Sequence, residues 1–293
     1  MTAPPSVPGI HPSSRVDSGA LVDPSATIAE GAIVERFAVV GPRCVIGPGT
    51  RLRTHSVVVE HTTLGANNDV HPFATLGGDP QDRAFKGDDR GLLIIGDRNI
   101  FREGVTLNRA SPTGPPTRLG NANYFMTDAH AGHNCVIGDN NTFANGAMLA
   151  GHVRMGSGCV LSGGCAVHQF TNIGDGVMFQ GGAMMGMHVP PYMVVTEVNL
   201  IAGINRVGMR RNPELNPADR EDIKVLFRAM FRDRAGAPML ACAKELQASR
   251  QWGTAGTRFL NFIIDALNEQ GPRARGICAM DVRARADEAA HSH

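Results

Sequence analysis

The stretch DAHAGHNC, Asp128 to Cys135, sets His130 and His133 three residues apart with no Lys, Arg or Glu among them, and two further histidines follow at His152 (LAGHV) and His168 (AVHQF). Imidazole changes charge near neutrality, so it can take a proton from a hydroxyl, return one, or ligate a metal. One chemistry open to such a group is a zinc site, in which three imidazoles hold the ion and leave positions for water. That site needs converging rings and a carboxylate to orient them, and no Glu is reserved nearby. A second chemistry is acyl transfer, in which one imidazole removes the proton of an attacking hydroxyl while a backbone N–H meets the oxyanion formed at a thioester. The plain alternative is a catalytically silent scaffold with solvated histidines on its surface, because a fold never certifies a function.

What must position these residues is a repeat. Every sixth residue from Ile10 is aliphatic: Val16, Val22, Ile28, Val34, Val40, Ile46, Leu52, Val58, Leu64, Val70 and Leu76. Four positions after most of them stands a small residue, among them Ala26, Ala32, Ala38 and Cys44. The ladder resumes one residue out of register at Ile95 and runs through Phe101, Leu107, Leu119, Phe125, Ile137, Phe143, Leu149, Met155, Leu161, Val167, Ile173, Phe179 and Met185, with Thr113 and Ala131 filling it weakly. A period of six fits neither a lone helix nor a freely alternating sheet. It fits short strands joined by turns in a parallel β-helix, with aliphatic residues stacked inside and small ones closing the corners. On this ladder none of the four histidines points inward.

The phase slips across GDPQDRAFKGDDRG, Gly78 to Gly91, which is read as a polar excursion loop; loops of that length in compact scaffolds are usually functional or disordered. A second break, SPTGPPT (Ser111 to Thr117), keeps phase and is read as a bulged corner. After VPPY (Val189 to Tyr192) the hexads fade. Asn216-Pro217 then precedes Ile223, Leu226, Phe227, Met230 and Phe231 at helical spacing, and further helices are expected over 238–247 and 254–267. The expected organisation is a lead-in over 1–9, a β-helix over 10–200, a small helical domain over 212–282, and a tail over 283–293 without fixed structure.

Composition limits the partners. Lys plus Arg numbers 28 against 27 for Asp plus Glu, so no overall field draws the chain to nucleic acid or to an anionic membrane. No apolar run approaches the ~20 residues of a membrane span. The six cysteines form no CxxC pair and the start lacks a signal sequence, which points to free thiols in a reducing, cytoplasmic setting.

The six-residue period resembles the hexapeptide-repeat family, whose members form left-handed parallel β-helices with three hexads per coil. The resemblance implies a mainly β fold of roughly nine coils of eighteen residues ahead of the helices, which maps His133 onto Gly151, beside His152, and lines the histidines along one edge; the hand comes from the resemblance and not from the spacing. Some members resemble zinc carbonic anhydrases, the family form of the metal reading. Within the repeat, FMTDAHAGHNCVIG, NGAMLAGHV, AVHQF, VPPY and GINRVGMRR, in this order and ahead of a helical tail, closely resemble the UDP-N-acetylglucosamine acyltransferases that open lipid A synthesis. The likeness covers residues from about 10 to 270.

That resemblance implies a homotrimer that takes a (3-hydroxy)acyl group from acyl carrier protein to the 3-hydroxyl of UDP-N-acetylglucosamine, with no metal or other cofactor. It carries the catalytic base to His133, a nearby polar contact to His130 and the oxyanion N–H to Gly151. Substrate or acyl contacts fall on His152, His168 and Gln169, nucleotide contacts on Asn205 and Arg211, and a sugar-holding loop carboxylate on Asp82. Gly181 is carried to a ladder position that leaves room for a long acyl chain, and Arg206 and Arg210 to docking of the acidic carrier. The chain departs from the pattern at four places: Ala84 for a Lys, for which Lys86 is a substitute; Asn108 for a His; Asn134 for an Asp; and Val207 for a Glu. These departures bear on the acceptor more than on the chemistry, so another UDP-sugar, such as a 3-amino analogue, is the main alternative.

Overall fold

A computed structural model describes residues 9–87, 91–111, 114–234 and 236–281. The tail expected beyond Arg283 lies outside the described residues, as do positions 1–8 of the lead-in. The chain divides into two compact units, residues 1–153 and 154–293.

In the first unit the hexads make strands of two to four residues, and three such strands make one turn of a parallel β-helix. The strand pair alternates outward and inward: in Thr27–Ile28, Ile33–Val34 and Val39–Val40 the second residue is buried. Successive coils pair in parallel register, Thr27 with Val45, Ile33 with Arg51 and Val39 with Val57. The ladder residues Ile28 to Leu76 and Phe101 to Leu149 are therefore the core, nearly all of them fully buried. Ile10, at the open end of the first coil, is 55% exposed because it has a neighbour on one side only.

Two columns run up the inside. Phe101, Phe125 and Phe143 stack at centroid spacings of 5.5 and 4.1 Å. At one corner Asn68, Asn99, Asn123 and Asn141 form a buried chain in which each Oδ1 accepts the backbone N–H and the Nδ2–H of the next asparagine at 2.9–3.0 Å. The amides thus satisfy one another where water cannot reach.

Two insertions interrupt the coils, and both leave the same edge. Strand Thr62–Leu64 pairs with Leu93–Ile95, and that strand with Thr117–Leu119. The first step spans thirteen residues more than a coil, which is the excursion loop. The second spans six more, so the chain between Asn108 and Thr117 enlarges that corner; the position counted at Thr113 lies outside the described residues.

The second unit begins with two more coils, Arg154–Met155 to Met184–Met185. It continues as an antiparallel pair, Met193–Thr196 with Leu200–Ile204, so strand persists past the boundary expected at residue 200. Four α-helices follow among the described residues: α1 (Arg206–Arg211), α2 (Pro217–Phe227), α3 (Met239–Ser249) and α4 (Thr254–Asn268). The Asn216 side chain accepts from Asp219 N–H while the Asp219 carboxylate accepts from Asn216 N–H, and this reciprocal cap starts α2. Asp222 on α2 accepts from Gly253 N–H at 2.9 Å and from Arg250 at 2.6 Å, which fixes the start of α4 against it. Strand Ala279–Met280 then returns to pair with Leu200–Ile201, so the C-terminal part is not wholly helical.

His188 is the buried tie of this unit. Its Nδ1 accepts from Asn172 N–H at 2.9 Å and its Nε2–H donates to the Arg273 carbonyl at 2.8 Å. Burial holds its pKa below the ordinary 6.5, an effect that the bond to Arg273 and the charge of Glu269 oppose and that Arg273 and Arg275 reinforce. The unfolded chain therefore binds the proton first. Stability from this group is complete above about pH 6.5 and is lost as pH falls through that value toward the lower folded one. Melting temperature should drop between pH 7 and 5, and His188→Gln should flatten the drop; a variant with the wild-type slope would remove His188 from the account.

Candidate active site

The edge that both insertions leave lies between the third and first strands of each coil. His133 and Gly151 both stand there, two positions after the ladder residues Ala131 and Leu149, one coil apart. An ideal Cβ on Gly151 would sit 2.7 Å from His133 Nε2, so the imidazole rests directly on the Gly151 backbone. Gly151→Ala should keep the inward ladder intact yet push the ring off this seat. Activity lost without a fall in melting temperature would show it, and full activity would mean that the contact is idle.

The N–H at this corner position is spare in the repeat. Pro12, Pro24, Pro42, Pro48 and Pro72 occupy it elsewhere and have no N–H to offer. In three coils a residue with an N–H stands there and donates it to a carboxylate: Ala66 to Asp97 at 2.7 Å, Asn121 to Asp139 at 2.5 Å and Ser157 to Asp175 at 2.8 Å. The same geometry at Gly151 can meet an oxyanion.

The orientation of His133 follows from Asn134. That side chain is 1% exposed and fully engaged: Nδ2 donates to the carbonyls of Ser111 at 3.2 Å and Pro115 at 2.7 Å. Its Oδ1 accepts from the N–H of Ser111 at 3.1 Å and lies 2.9 Å from the Ser111 hydroxyl. A carbonyl accepts only from the NH2 end, so the amide has one orientation. Its oxygen lies 2.8 Å from His133 Nδ1, which must then carry the proton. Nε2 is left with its lone pair. Asn134 is itself placed by Thr117, whose hydroxyl accepts its backbone N–H at 2.7 Å, and by a left-handed φ of 59°.

The other histidines take separate places. His152, also left-handed at φ 62°, donates its N–H to the His133 carbonyl at 2.9 Å and sets its ring edge-on to that of His133 at 5.0 Å. His130 faces outward from its strand, with Nδ1 2.8 Å from the Thr106 hydroxyl. Burial lowers its pKa from the ordinary 6.5, the hydrogen bond at Thr106 opposes this, and His133 beside it adds a smaller lowering. Among the described residues no three His, Cys, Asp or Glu side chains converge as a metal set would.

Asp82 sits half-buried in the excursion loop, where Oδ1 accepts from Ala84 N–H at 2.9 Å. Lys86 is exposed. Asn108 donates to the Asp79 carbonyl at 2.7 Å and so anchors the foot of the loop.

In the second unit His168 and Gln169 are exposed at a corner. Asn205 is already committed: it caps α1 by accepting from Gly208 N–H at 2.8 Å and donates to the Gly176 carbonyl at 2.9 Å. Arg211 is exposed at the end of that helix. Gly181 is not a ladder position. It stands two residues beyond the inward Phe179, on an exposed turn with nothing nearer to its Cβ direction than 3.9 Å, so any room it leaves is outside the prism. A cavity of about 660 Å3 opens beside α1 and α2, lined by Arg206, Val207, Lys224, Phe227, Arg228 and Arg232. Residues that the sequence did not single out are Ser111, Pro115 and Thr117, which hold Asn134, and Thr106 and Arg109.

Comparison with known proteins fits this geometry. A relative from Sinorhizobium fredii, an acyl-[acyl-carrier-protein]--UDP-N-acetylglucosamine O-acyltransferase, is 39% identical over 233 residues, or 78% of this chain and 84% of the relative. The chain belongs to the UDP-N-acetylglucosamine O-acyltransferase family. The description "Udp N-acetylglucosamine O-acyltransferase; Domain 2" matches residues 188–278, which lie wholly in the second unit. A family member from Helicobacter pylori is 41% identical over 175 residues, covering 59% of this chain and 63% of its own length. Among solved structures, the Francisella novicida UDP-N-acetylglucosamine acyltransferase superposes with a TM-score of 0.78 at 30% identity over 95% of this chain and 96% of that one. The Arabidopsis enzyme does so at 0.82 and 29% over 92% and 99%.

Proposed function

We propose that the chain transfers a (3-hydroxy)acyl group from acyl carrier protein to the 3-hydroxyl of UDP-N-acetylglucosamine, the reaction that opens lipid A synthesis. The observation that carries this reading is the His133 imidazole, its Nδ1 proton held by Asn134 and its bare Nε2 seated over the Gly151 backbone. Nε2 takes the sugar hydroxyl proton as the oxygen attacks the thioester carbon. The carbonyl oxygen gains the charge and the Gly151 N–H receives it. The intermediate collapses by expelling the carrier's thiolate, and the imidazolium returns its proton to that sulfur. In this reading His130, His152 and Asp82 contact substrate from the first unit, while His168, Gln169, Asn205 and Arg211 are the substrate and nucleotide contacts of the second.

The carrier protein is acidic, and the basic side chains around the α1–α2 cavity, with Arg210 exposed beside them, are its docking surface. Homotrimeric assembly in the cytoplasm completes the reading. The outward faces of Leu21, Val39 and Val57, in register up one sheet, offer an apolar stripe for a second copy. No helix among the described residues is long and apolar enough to cross a membrane.

One observation favours a second acceptor. Asn134 is neutral, so no negative charge supports the imidazolium as it forms, and an amine nucleophile needs that support less than a hydroxyl does. The deciding experiment is an acyl-transfer assay with purified protein, a panel of acyl carrier thioesters, and UDP-N-acetylglucosamine beside its 3-amino analogue, with products read by mass. Acylation of the ordinary sugar supports the first reading, acylation of the analogue alone supports the second, and no product from either overturns both.

A further inference from the structure

Arg109 stands two positions after the ladder residue Leu107, at the same outward corner as His133 and Gly151, yet it is 1% exposed. Its guanidinium is covered by the excursion loop. One nitrogen, Nη2, meets Glu60 Oε1 at 2.8 Å, Nη1 pairs with the Asp79 carboxylate at the foot of the loop, and the Phe85 ring lies over Cζ at 5.2 Å. The neighbouring backbone holds both feet: Arg109 N–H donates to the Gly78 carbonyl at 2.9 Å and Ala110 N–H to the Leu92 carbonyl at 3.2 Å.

Between those feet the turn is closed on itself. Asp82 takes the N–H of Ala84 on its side chain and that of Phe85 on its carbonyl, at 2.9 and 3.0 Å. Phe85 is the far end of the turn that Asp82 begins. Whatever fixes the Phe85 ring therefore fixes the Asp82 carboxylate.

We propose that Arg109 is the positioning residue of the acceptor-sugar site. Its buried fork clamps the loop at Asp79 and Phe85 and thereby holds Asp82 in place. Arginine suits the task because one planar group can pair with two carboxylates and present a face to an aromatic ring, which the single ammonium of lysine cannot do. The proposal rests on the reading of Asp82 as a sugar contact given above.

The test uses Asp79→Asn and Phe85→Ala, which loosen the clamp from its solvent side without burying an unpaired charge, beside Asp82→Asn and Arg109→Lys in the full-length protein. Loop release is read by trypsin cleavage after the exposed Arg83 and Lys86. Kinetics are read separately for the UDP-sugar and the acyl carrier thioester. Both loosening variants should be cut about tenfold faster at these two sites, with the sugar KM raised by a similar factor, while kcat, the thioester KM and the melting temperature stay near wild type. Arg109→Lys should behave like them. Cleavage and sugar KM at wild-type values in Asp79→Asn and Phe85→Ala, with Asp82→Asn still raising the sugar KM, would overturn the clamp and leave the acceptor reading standing. An unchanged sugar KM in Asp82→Asn would instead overturn the acceptor reading, and the positioning role with it.

Discussion

Replacing His133 by alanine should lower kcat by ~10²–10⁴, the usual contribution of a general base, and leave the fold and both KM values near wild type. The expectation of an intact fold comes from the ladder. His133 projects outward from a turn, while the residue that fills the core in that hexad is Ala131, fully buried. Truncation leaves Gly151 in place, so its N–H still meets the oxyanion and some catalysis over solution persists. His130→Ala should cost much less, because its Nδ1 is engaged by Thr106 and the group has no part in the proton transfer. Steady-state and single-turnover assays of both variants, alongside thermal melts, decide the matter. A His133→Ala protein with normal turnover would end the assignment of the base.

Much of the fold is legible because the β-helix interior admits little variation. A narrow prism has room for one stacked side chain per hexad, so inward positions must be apolar and their spacing appears directly in the chain. The helix α2 is legible for another reason, its cap at Asn216 and the apolar stripe that follows. What escapes is whatever does not disturb a period. The enlarged corner between Asn108 and Thr117 adds six residues to a six-residue repeat, so the ladder stays in phase across it and the added length leaves no trace in the period. Helix α1 escapes because RVGMRR is short and contains Gly208; it forms because Asn205 caps it.

The site divides along the same line. A residue's offset from the ladder fixes its corner and its outward direction, and this is why His133 over Gly151 can be read from a spacing of eighteen. The same rule misplaces Arg109, whose offset makes it an exposed corner residue. The loop that buries it is thirteen residues of non-repeating chain, and no offset describes where such a segment comes to rest. The partners of Asn134 are hidden likewise. Ser111, Pro115 and Thr117 reach it only because the enlarged corner folds back across the next coil.

That corner decides the sign of a substitution that sequence comparison alone would get wrong. The resemblance drawn from the motifs expects Asp where this chain has Asn134, so Asn134→Asp looks like a restoration that should strengthen the base. Here it should weaken it. The Asn134 NH2 group donates to two carbonyls, of which the Pro115 oxygen is only 2.7 Å away, in a setting closed to water. A carboxylate would bring a negative oxygen against that carbonyl with no proton between them, and the unmet buried groups cost about 1–3 kcal/mol each. The protein can escape by protonating the aspartate or by moving the 111–117 corner away. Either route loosens the grip on His133 Nδ1, and with the ordinary sugar kcat should fall about ten- to a hundredfold as the melting temperature drops. Ring 15N shifts of His133 would report the loosened Nδ1 proton. A gain in kcat would show that the corner accepts a carboxylate and that the amide is not the lock. With the 3-amino acceptor the same change should cost less, because the amine attacks through its lone pair and its proton leaves after the bond to carbon has begun to form.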